Sequence, residues 1–477
     1  MHRSTSTNGQ MAGSLLAPTA RLATGWHNDV LLEWDEHGTL TRVSPDTPRE
    51  SLHNATGVQR ARGPVLPGMP NLHSHAFQAA MAGLTEYRAQ QADSFWSWRD
   101  LMYRFAARLT PDAMAAIAHG LYLDMLKTGY TSVCEFHYLH HQPDGQPYPH
   151  RAELAARVLD AAEAAGMGMT MLPVLYQYSN FGSAAPRDDQ RRFLNRPDEL
   201  LTLLTDLQHA YPDNKQRHYG VAPHSLRAVS EASLTALLAG LDQAFPGAPV
   251  HIHIAEQTAE VQACLDTEGA RPVQWLLDHF DVNDRWCLVH ATHIDEHELH
   301  GLARSGAVAG LCLTTEANLG DGIFPAADYL SAGGRFGIGS DSHVSIDWRA
   351  ELRLLEYGQR LLHRQRNVLA SSHQPHVADH LFDAAIRGGA LASGRAISGL
   401  QVGNQADFMV LDNNHISLAE PPQAHWLSGL VFNERGHTPV RDVYVSGRQR
   451  IADGHHPDED VVYARYRQAL SSLLQQD

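Results

Sequence analysis

Val65-Leu66-Pro67-Gly68-Met69-Pro70-Asn71-Leu72-His73-Ser74-His75 is the stretch on which the fold turns. An apolar run of strand length, Val65–Leu72, ends in two histidines with one residue between them. Residues i and i+2 of a strand point to the same side, so both imidazoles can face one opening and share one ion. A single H-x-H is weak in a chain with 31 histidines, and its weight depends on what surrounds it.

Downstream, apolar runs alternate with helical patterns, as parallel βα units do. The runs read as strands are Thr131–Tyr138, Gly168–Leu175, His218–His224, Val250–Ala255, Trp286–Thr292, Ala307–Thr314 and Arg335–Gly339. Helical patterns fall between them at Pro111–Thr128, His150–Ala165, Glu231–Ala244 and Asp295–Arg304. With Val65–Leu72 these make eight strands over roughly 320 residues, which fits an α/β fold of the TIM-like (β/α)8 barrel type. A doubly wound open sheet would also alternate, but no G-x-G-x-x-G follows a strand. Gln90–Arg108, rich in Trp and Phe, reads as an insertion after the first strand, where insertions lie over the active-site face.

Outside this region the texture changes. Leu22 to Val65 alternates in short runs with turns at Glu36-His37-Gly38 and Pro45-Asp46, and similar runs return at Ala406–Leu411 and Val440–Ile451. Both chain ends are expected to build one small β-sandwich domain, residues 14–65 plus 402–455. Residues 66–401 then form the barrel and 456–477 a C-terminal helix. Residues 1–13, polar and rich in Ser and Thr, read as a flexible tail.

Composition narrows the function. Hydrophobic residues make up 43% and charged residues 19% of the 477, which is globular and not disordered. No stretch of about 18 apolar residues occurs, so no membrane span is expected. Lys+Arg 37 against Asp+Glu 53 gives a net charge of −16, which argues against nucleic acid as partner. Cys134, Cys264, Cys287 and Cys312 form no C-x-x-C pair and are expected as buried thiols of a cytoplasmic protein.

Catalytic groups of a barrel sit at the C-terminal ends of its strands. Strand one ends in His73 and His75. Strand five ends His251-Ile252-His253-Ile254-Ala255-Glu256, strand six ends in His290, and strand eight ends Ser340-Asp341-Ser342-His343. A catalytic zinc wants three or four N or O ligands and an open position for water. The joint placement of His73, His75, His253, Glu256, His290 and Asp341 lifts them above chance. His251 lies one layer deeper and is expected in the core. His140-His141 and His455-His456 are expected in solvent, and His293, His297 and His300 at the surface.

This pattern resembles the amidohydrolase superfamily, and His253-x-x-Glu256 is similar to its mononuclear deaminase branch. The resemblance covers nearly the whole chain. Binuclear members carry a carbamylated Lys after strand four, whereas that strand here ends Ala222-Pro223-His224 and the only lysines are Lys127 and Lys215. One divalent ion, zinc, is therefore expected, held by His73, His75, His253 and Asp341. Three longer strings are more specific: Pro67 to Gln78, Phe95-Trp96-Ser97-Trp98-Arg99-Asp100, and Thr315-Glu316-Ala317-Asn318-Leu319-Gly320-Asp321-Gly322. They resemble the branch acting on a linear amidine, which implies hydrolysis of N-formimino-L-glutamate to N-formyl-L-glutamate and ammonia in histidine degradation.

That branch implies catalytic roles for Glu256, His290 and Asp341. It also implies substrate contacts for Gln78, Arg99, Tyr138, His224 and Arg227. The residues suit such a substrate independently, because a dicarboxylate wants guanidinium forks, and Arg99 and Arg227 are placed to supply them. Trp96 and Trp98 are expected to pack the insertion and not to touch substrate. Rival readings are a deaminase of a heterocycle, a binuclear amidase or lactonase, and a catalytically inactive barrel kept for binding. A homodimer is expected on general grounds.

Overall fold

A computed structural model describes residues 12–48, 57–86, 95–435 and 437–475. Residues 1–11 of the expected tail, 90–94 of the insertion and the side chain of Trp96 lie outside the described residues.

Eight parallel strands form the centre: β1 (Met69–Ser74), β2 (Tyr130–His137), β3 (Gly168–Leu175), β4 (Arg217–Tyr219 with Ala222–Pro223), β5 (Val250–Ile254), β6 (Trp286–His290), β7 (Val308–Leu311) and β8 (Arg335–Ile338). Strands β1 to β4 pair in sequence order, as do β5 to β8. Parallel bridges join the two groups at both seams, Val221 with Val250 and Ser225 with His253 on one side, Ser74 with Asp341 on the other. Every residue of β2, β3, β5 and β6 is buried, because helices cover the outside of the ring.

The helices begin and end where local chemistry dictates. Pro111–Thr128 starts with Thr110 accepting from the Ala113 N–H at 3.2 Å and with Pro at its first position, and left-handed Gly129 stops it. Glu231–Ala244 also runs as expected, while the other two helices shift slightly, to Glu153–Ala165 and Glu296–Ser305. The C-terminal helix, Glu459–Leu474, packs on Pro111–Thr128, with Lys127 paired to Glu459 at 3.1 Å.

Three expectations need correction. The first strand is two strands. Val65–Pro67 pairs with Phe408–Leu411 in the small sheet, and only Met69–Ser74 enters the ring. Gly68 is the joint between them, since a Cβ there would lie 2.2 Å from the Thr131 hydroxyl. The seventh strand stops at Leu311, and Leu313 and Thr314 open the helix Leu313–Leu319 instead. The small sheet is also one hydrogen-bonded sheet of eight strands, not two separate sheets. It curls until remote strands touch: Trp34 in Gly25–Trp34 lies 6.0 Å from Phe408, with two strands, Gly13–Leu22 and Val65–Pro67, between theirs. Around that contact Leu15, Val30, Leu32, Val410 and Tyr444 make a core of its own.

Arg21, from strand Gly13–Leu22, ties this sheet to helix Val377–Ser393 through Asp379 at 3.0 Å and Asp383 at 2.7 Å. Arg21→Met strands two carboxylates in a mostly buried setting and is expected to cost about 3–5 kcal/mol. The urea midpoint should fall with an unchanged m-value. An unmoved midpoint would mean that apolar packing alone holds this seam.

No helix among the described residues is long and apolar enough to cross a membrane. All four cysteines are buried and free.

Candidate metal centre and substrate cleft

Strand β1 delivers its two histidines through a tightly specified end. Asn71 zips β1 to the turn after β8, donating to Ser340 Oγ at 2.6 Å and accepting from the Ser340 N–H at 3.1 Å. Ser74, between the histidines, faces the other way and donates to buried Glu135 at 2.7 Å. The other Glu135 oxygen accepts from the Ala76 N–H at 2.7 Å, so one carboxylate clamps both sides of His75. The Asp341 N–H donates to His73 O at 3.0 Å, and the His75 N–H donates to Asp341 O at 3.2 Å.

The result is a knot of ligand atoms. His73 Nε2 lies 3.2 Å from His75 Nε2 and 3.0 Å from His253 Nε2. Asp341 Oδ1 lies 3.5 Å from His73 Nε2 and 3.4 Å from His75 Nε2. Four ligands about 2.0–2.1 Å from a tetrahedral ion are spaced about 3.3–3.4 Å from one another, and the observed edges scatter around that value. Burial, followed by the neighbouring imidazoles, lowers His75 to about 3 and pushes His73 and His253 well below the ordinary histidine range. Neutral imidazoles offer lone pairs. His75 Nδ1 donates to Phe136 O at 2.9 Å, which leaves Nε2 as its lone-pair atom. The donor set therefore fits a divalent ion held by His73, His75, His253 and Asp341. Lys127 is engaged with Glu459, and Lys215 precedes β4 at the opposite end of that strand, so neither can bridge a second ion.

On the other side of Asp341 stands His290, its Nε2 3.8 Å from Asp341 Oδ2 and 3.7 Å from Glu256 Oε1. Its Nδ1 meets Glu316 Oε1 at 3.3 Å. Burial works to lower His290, but Glu256, Glu316 and Asp341 outweigh it and raise it to about 10. Glu256 is raised to about 7, chiefly by burial and against the pull of His290. Ala255, His290 and Asp341 all adopt the left-handed region, with φ of 50°, 68° and 46°. Each such residue costs about 1–3 kcal/mol and persists only where its surroundings hold it. Three strand ends thus bend out of regular geometry at the place where their side chains converge.

Above the knot lies a narrow cleft lined by His75, His253, Glu256, His290 and Asp341. Gln78, Arg99, Tyr138, His224 and Arg227 line the same cleft, so all five expected contact residues share one space with the ligand cluster. Arg227 is 5% exposed, and Arg99 stands over the Tyr103 ring at 5.6 Å. Gln78 Nε2 donates to Tyr138 Oη at 2.9 Å, while its Oε1 is buried with no partner among the described residues. Burial and then Arg227 push His224 well below the ordinary histidine range.

Several expectations fail here for identifiable reasons. His140 and His141 are not in solvent: their Nε2 atoms meet Val174 O at 3.0 Å and Leu194 O at 2.6 Å, carbonyls that the loop folds over. His456 is buried although His455 is exposed. His293 is half-buried, its Nε2 meeting Asp321 O at 2.8 Å, whereas His297 and His300 are exposed. His251 lies in the core as expected, bonded to Ala392 O at 2.8 Å. Trp98, expected only to pack, lines the cleft. Nothing local in Thr315 to Gly322 marks Glu316 or Asp321 for a role. Glu316 holds His290, and Asp321 stands with Glu256 and His290, their ligand atoms all within 4.8 Å of one another.

An α/β protein with this ring and this cluster has clear relatives. The sequence pattern described as "Amidohydrolase family" matches residues 65–450. A formimidoylglutamate deiminase of Pseudomonas aeruginosa is 50% identical over 462 residues, 97% of this chain and 99% of that one. The crystal structure of an amidohydrolase from Brucella melitensis superimposes with a TM-score of 0.89 at 45% identity, covering 97% of this chain and 100% of that one. An adenosine deaminase from Xanthomonas campestris, solved with bound zinc, shares the fold at a TM-score of 0.78 and 21% identity, over 97% of this chain and 98% of that one. This chain belongs to the amidohydrolase family.

Proposed function

We propose that this enzyme hydrolyses the formimino group of N-formimino-L-glutamate, yielding N-formyl-L-glutamate and ammonia in histidine degradation. Residues 66–401 act as a (β/α)8 hydrolase barrel, and 14–65 with 402–455 act as the β domain that supports it. One observation carries the reading: the cleft that holds Glu256, His290 and the ligand cluster also holds Arg99 and Arg227. A linear amidine with two carboxylates needs both halves of that cleft. A heterocycle needs only one.

His73, His75, His253 and Asp341 hold one divalent ion, for which we propose zinc. When bound, such an ion supplies Lewis-acid activation, bringing the pKa of a water towards 7. Asp341 also takes the first proton from the attacking water. Glu256, poised near neutrality, carries a proton to the leaving nitrogen. His290, held from behind by Glu316, donates a hydrogen bond where negative charge develops. Gln78 Oε1 is an acceptor suited to an amidine N–H. Tyr138 backs Gln78, and His224 contributes a neutral imidazole beside Arg227. We take the working unit to be a cytoplasmic homodimer.

The test is ammonia release from N-formimino-L-glutamate, with adenine, guanine and cytosine as controls. Turnover of a nucleobase in preference to the linear amidine would overturn the assignment. Removing one member of a buried charge pair costs about 2–5 kcal/mol. Arg227→Met is therefore expected to lose roughly 30- to several-thousand-fold in kcat/KM. An analogue lacking the carboxylate that Arg227 reads should be indifferent to the substitution. Equal losses on every analogue would mean that the arginine only holds its loop.

A further inference from the structure

Two tyrosines in the cleft wall have hydroxyl protons whose directions can be worked out. Tyr103 lies on helix Phe95–Arg108, in the insertion, and Tyr176 directly follows β3. Their hydroxyl oxygens are 3.2 Å apart. Both side chains line the cleft beside Arg99, Arg227 and His224, and both residues are at most 3% exposed. Behind them, outside the cleft lining, is fully buried Gln190 in the turn Asp188–Gln190. Its Nε2 donates to Tyr176 Oη at 2.8 Å and reaches Tyr103 Oη at 3.2 Å.

The orientation of the Gln190 amide is not arbitrary. Its Oε1 accepts the Arg187 N–H at 2.8 Å, so a flip would set two donors against each other and leave the tyrosines facing an oxygen. The amide nitrogen has only donors to give, and both phenol oxygens must accept from it. Two phenolic protons then remain. The contact between the hydroxyls consumes one of them, and the other has no acceptor among the hydrogen bonds of the described residues. Both residues line the cleft, which is the open space beside the pair.

We propose that the Tyr103–Tyr176 hydroxyl pair, held in donor orientation by Gln190, gives a hydrogen bond to a carboxylate oxygen of the substrate beside Arg99 and Arg227. This rests on the deimination reading above and adds three residues to its substrate recognition. Tyr103 and Tyr176 touch the ligand, and Gln190 is a positioning residue acting through them. A guanidinium attracts any anion, whereas a phenol with its acceptor sites already filled requires an acceptor oxygen at one point. Its hydrogen bond is strongest when that oxygen is charged, as in a carboxylate.

The test uses the metal-loaded enzyme. A hydrogen bond to a charged group is worth about 10–100-fold in binding. The double variant Tyr103→Phe/Tyr176→Phe is therefore expected to raise KM for N-formimino-L-glutamate about 10–100-fold, with kcat and metal content little changed. Gln190→Glu should do the same, because a carboxylate accepts both phenolic protons and turns them away from the cleft. Gln190 does not line the cleft, so an effect on KM from that position is not explained by lost contact. Unchanged KM in both variants overturns the proposal, as does a fall in kcat alone. If the wild type releases no ammonia from this substrate, the functional reading fails separately. Calorimetry with glutarate then decides the tyrosine pair: weaker binding in the double variant sustains it, and equal binding overturns it.

Discussion

His73→Ala is expected to give a folded protein that purifies without its metal and has no measurable turnover. His73 Nε2 lies 3.0 Å from His253 Nε2, 3.2 Å from His75 Nε2 and 3.5 Å from Asp341 Oδ1, so it borders all three other ligand atoms. Losing a partner outside the ligand shell typically costs 10–100-fold in affinity, so losing a ligand at the centre should cost more than about 100-fold. Elemental analysis should read about one ion per chain in the wild type and close to none in the variant. His297→Ala, on an exposed helix position, should leave both metal and activity intact. Two firmly held ions in the wild type, both needed for activity, would refute the single-ion reading. Normal metal content in His73→Ala would show that the knot is not the metal site.

Glu256→Gln should separate chemistry from metal binding. Its carboxylate faces His290 at 3.7 Å and is raised to about 7, so near neutral pH it can both accept and release a proton. The amide can do neither. Turnover should fall by about 10²–10⁴-fold with the metal retained. The wild-type pH–rate profile should bend near pH 7, where Glu256 changes charge, and that bend should vanish in the variant. Near-normal turnover would place the proton shuttle elsewhere, and loss of metal would make Glu256 a ligand.

Much of the site is legible in the sequence, because a ring of parallel strands gathers its strand ends at one face. His73-Ser74-His75, His253 with Glu256, His290 and Asp341 each end a recognisable apolar run, so local pattern sufficed. What escaped was non-local. The run Val65–Leu72 looks continuous, since both sheets it serves demand apolar residues, and only pairing partners reveal the change at Gly68. His140-His141 sits among polar residues, and nothing nearby announces the Val174 and Leu194 carbonyls that bury it. Glu316 and Asp321 look like ordinary helix and turn carboxylates until the helix Leu313–Leu319 brings them against His290 and Glu256. Trp98 shows the reverse: within an aromatic cluster, a ring that lines a cleft has the same local sequence pattern as one that only fills space.

The change of sheet at Gly68 bears on how the molecule is made. Strand Val65–Pro67 leaves the ribosome early, yet its neighbour Phe408–Leu411 emerges roughly 340 residues later, a separation that makes pairing slow. Through all of that interval the edge of Val65–Pro67 is open to any other extended chain. Strand β1, which delivers His73 and His75, is joined directly to that waiting edge. Nascent chains should therefore be most prone to aggregation late in synthesis, and a bound ion could secure β1 only after the last strands of the ring had arrived. A chaperone that shields residues 65–67 would raise yield without touching the finished enzyme.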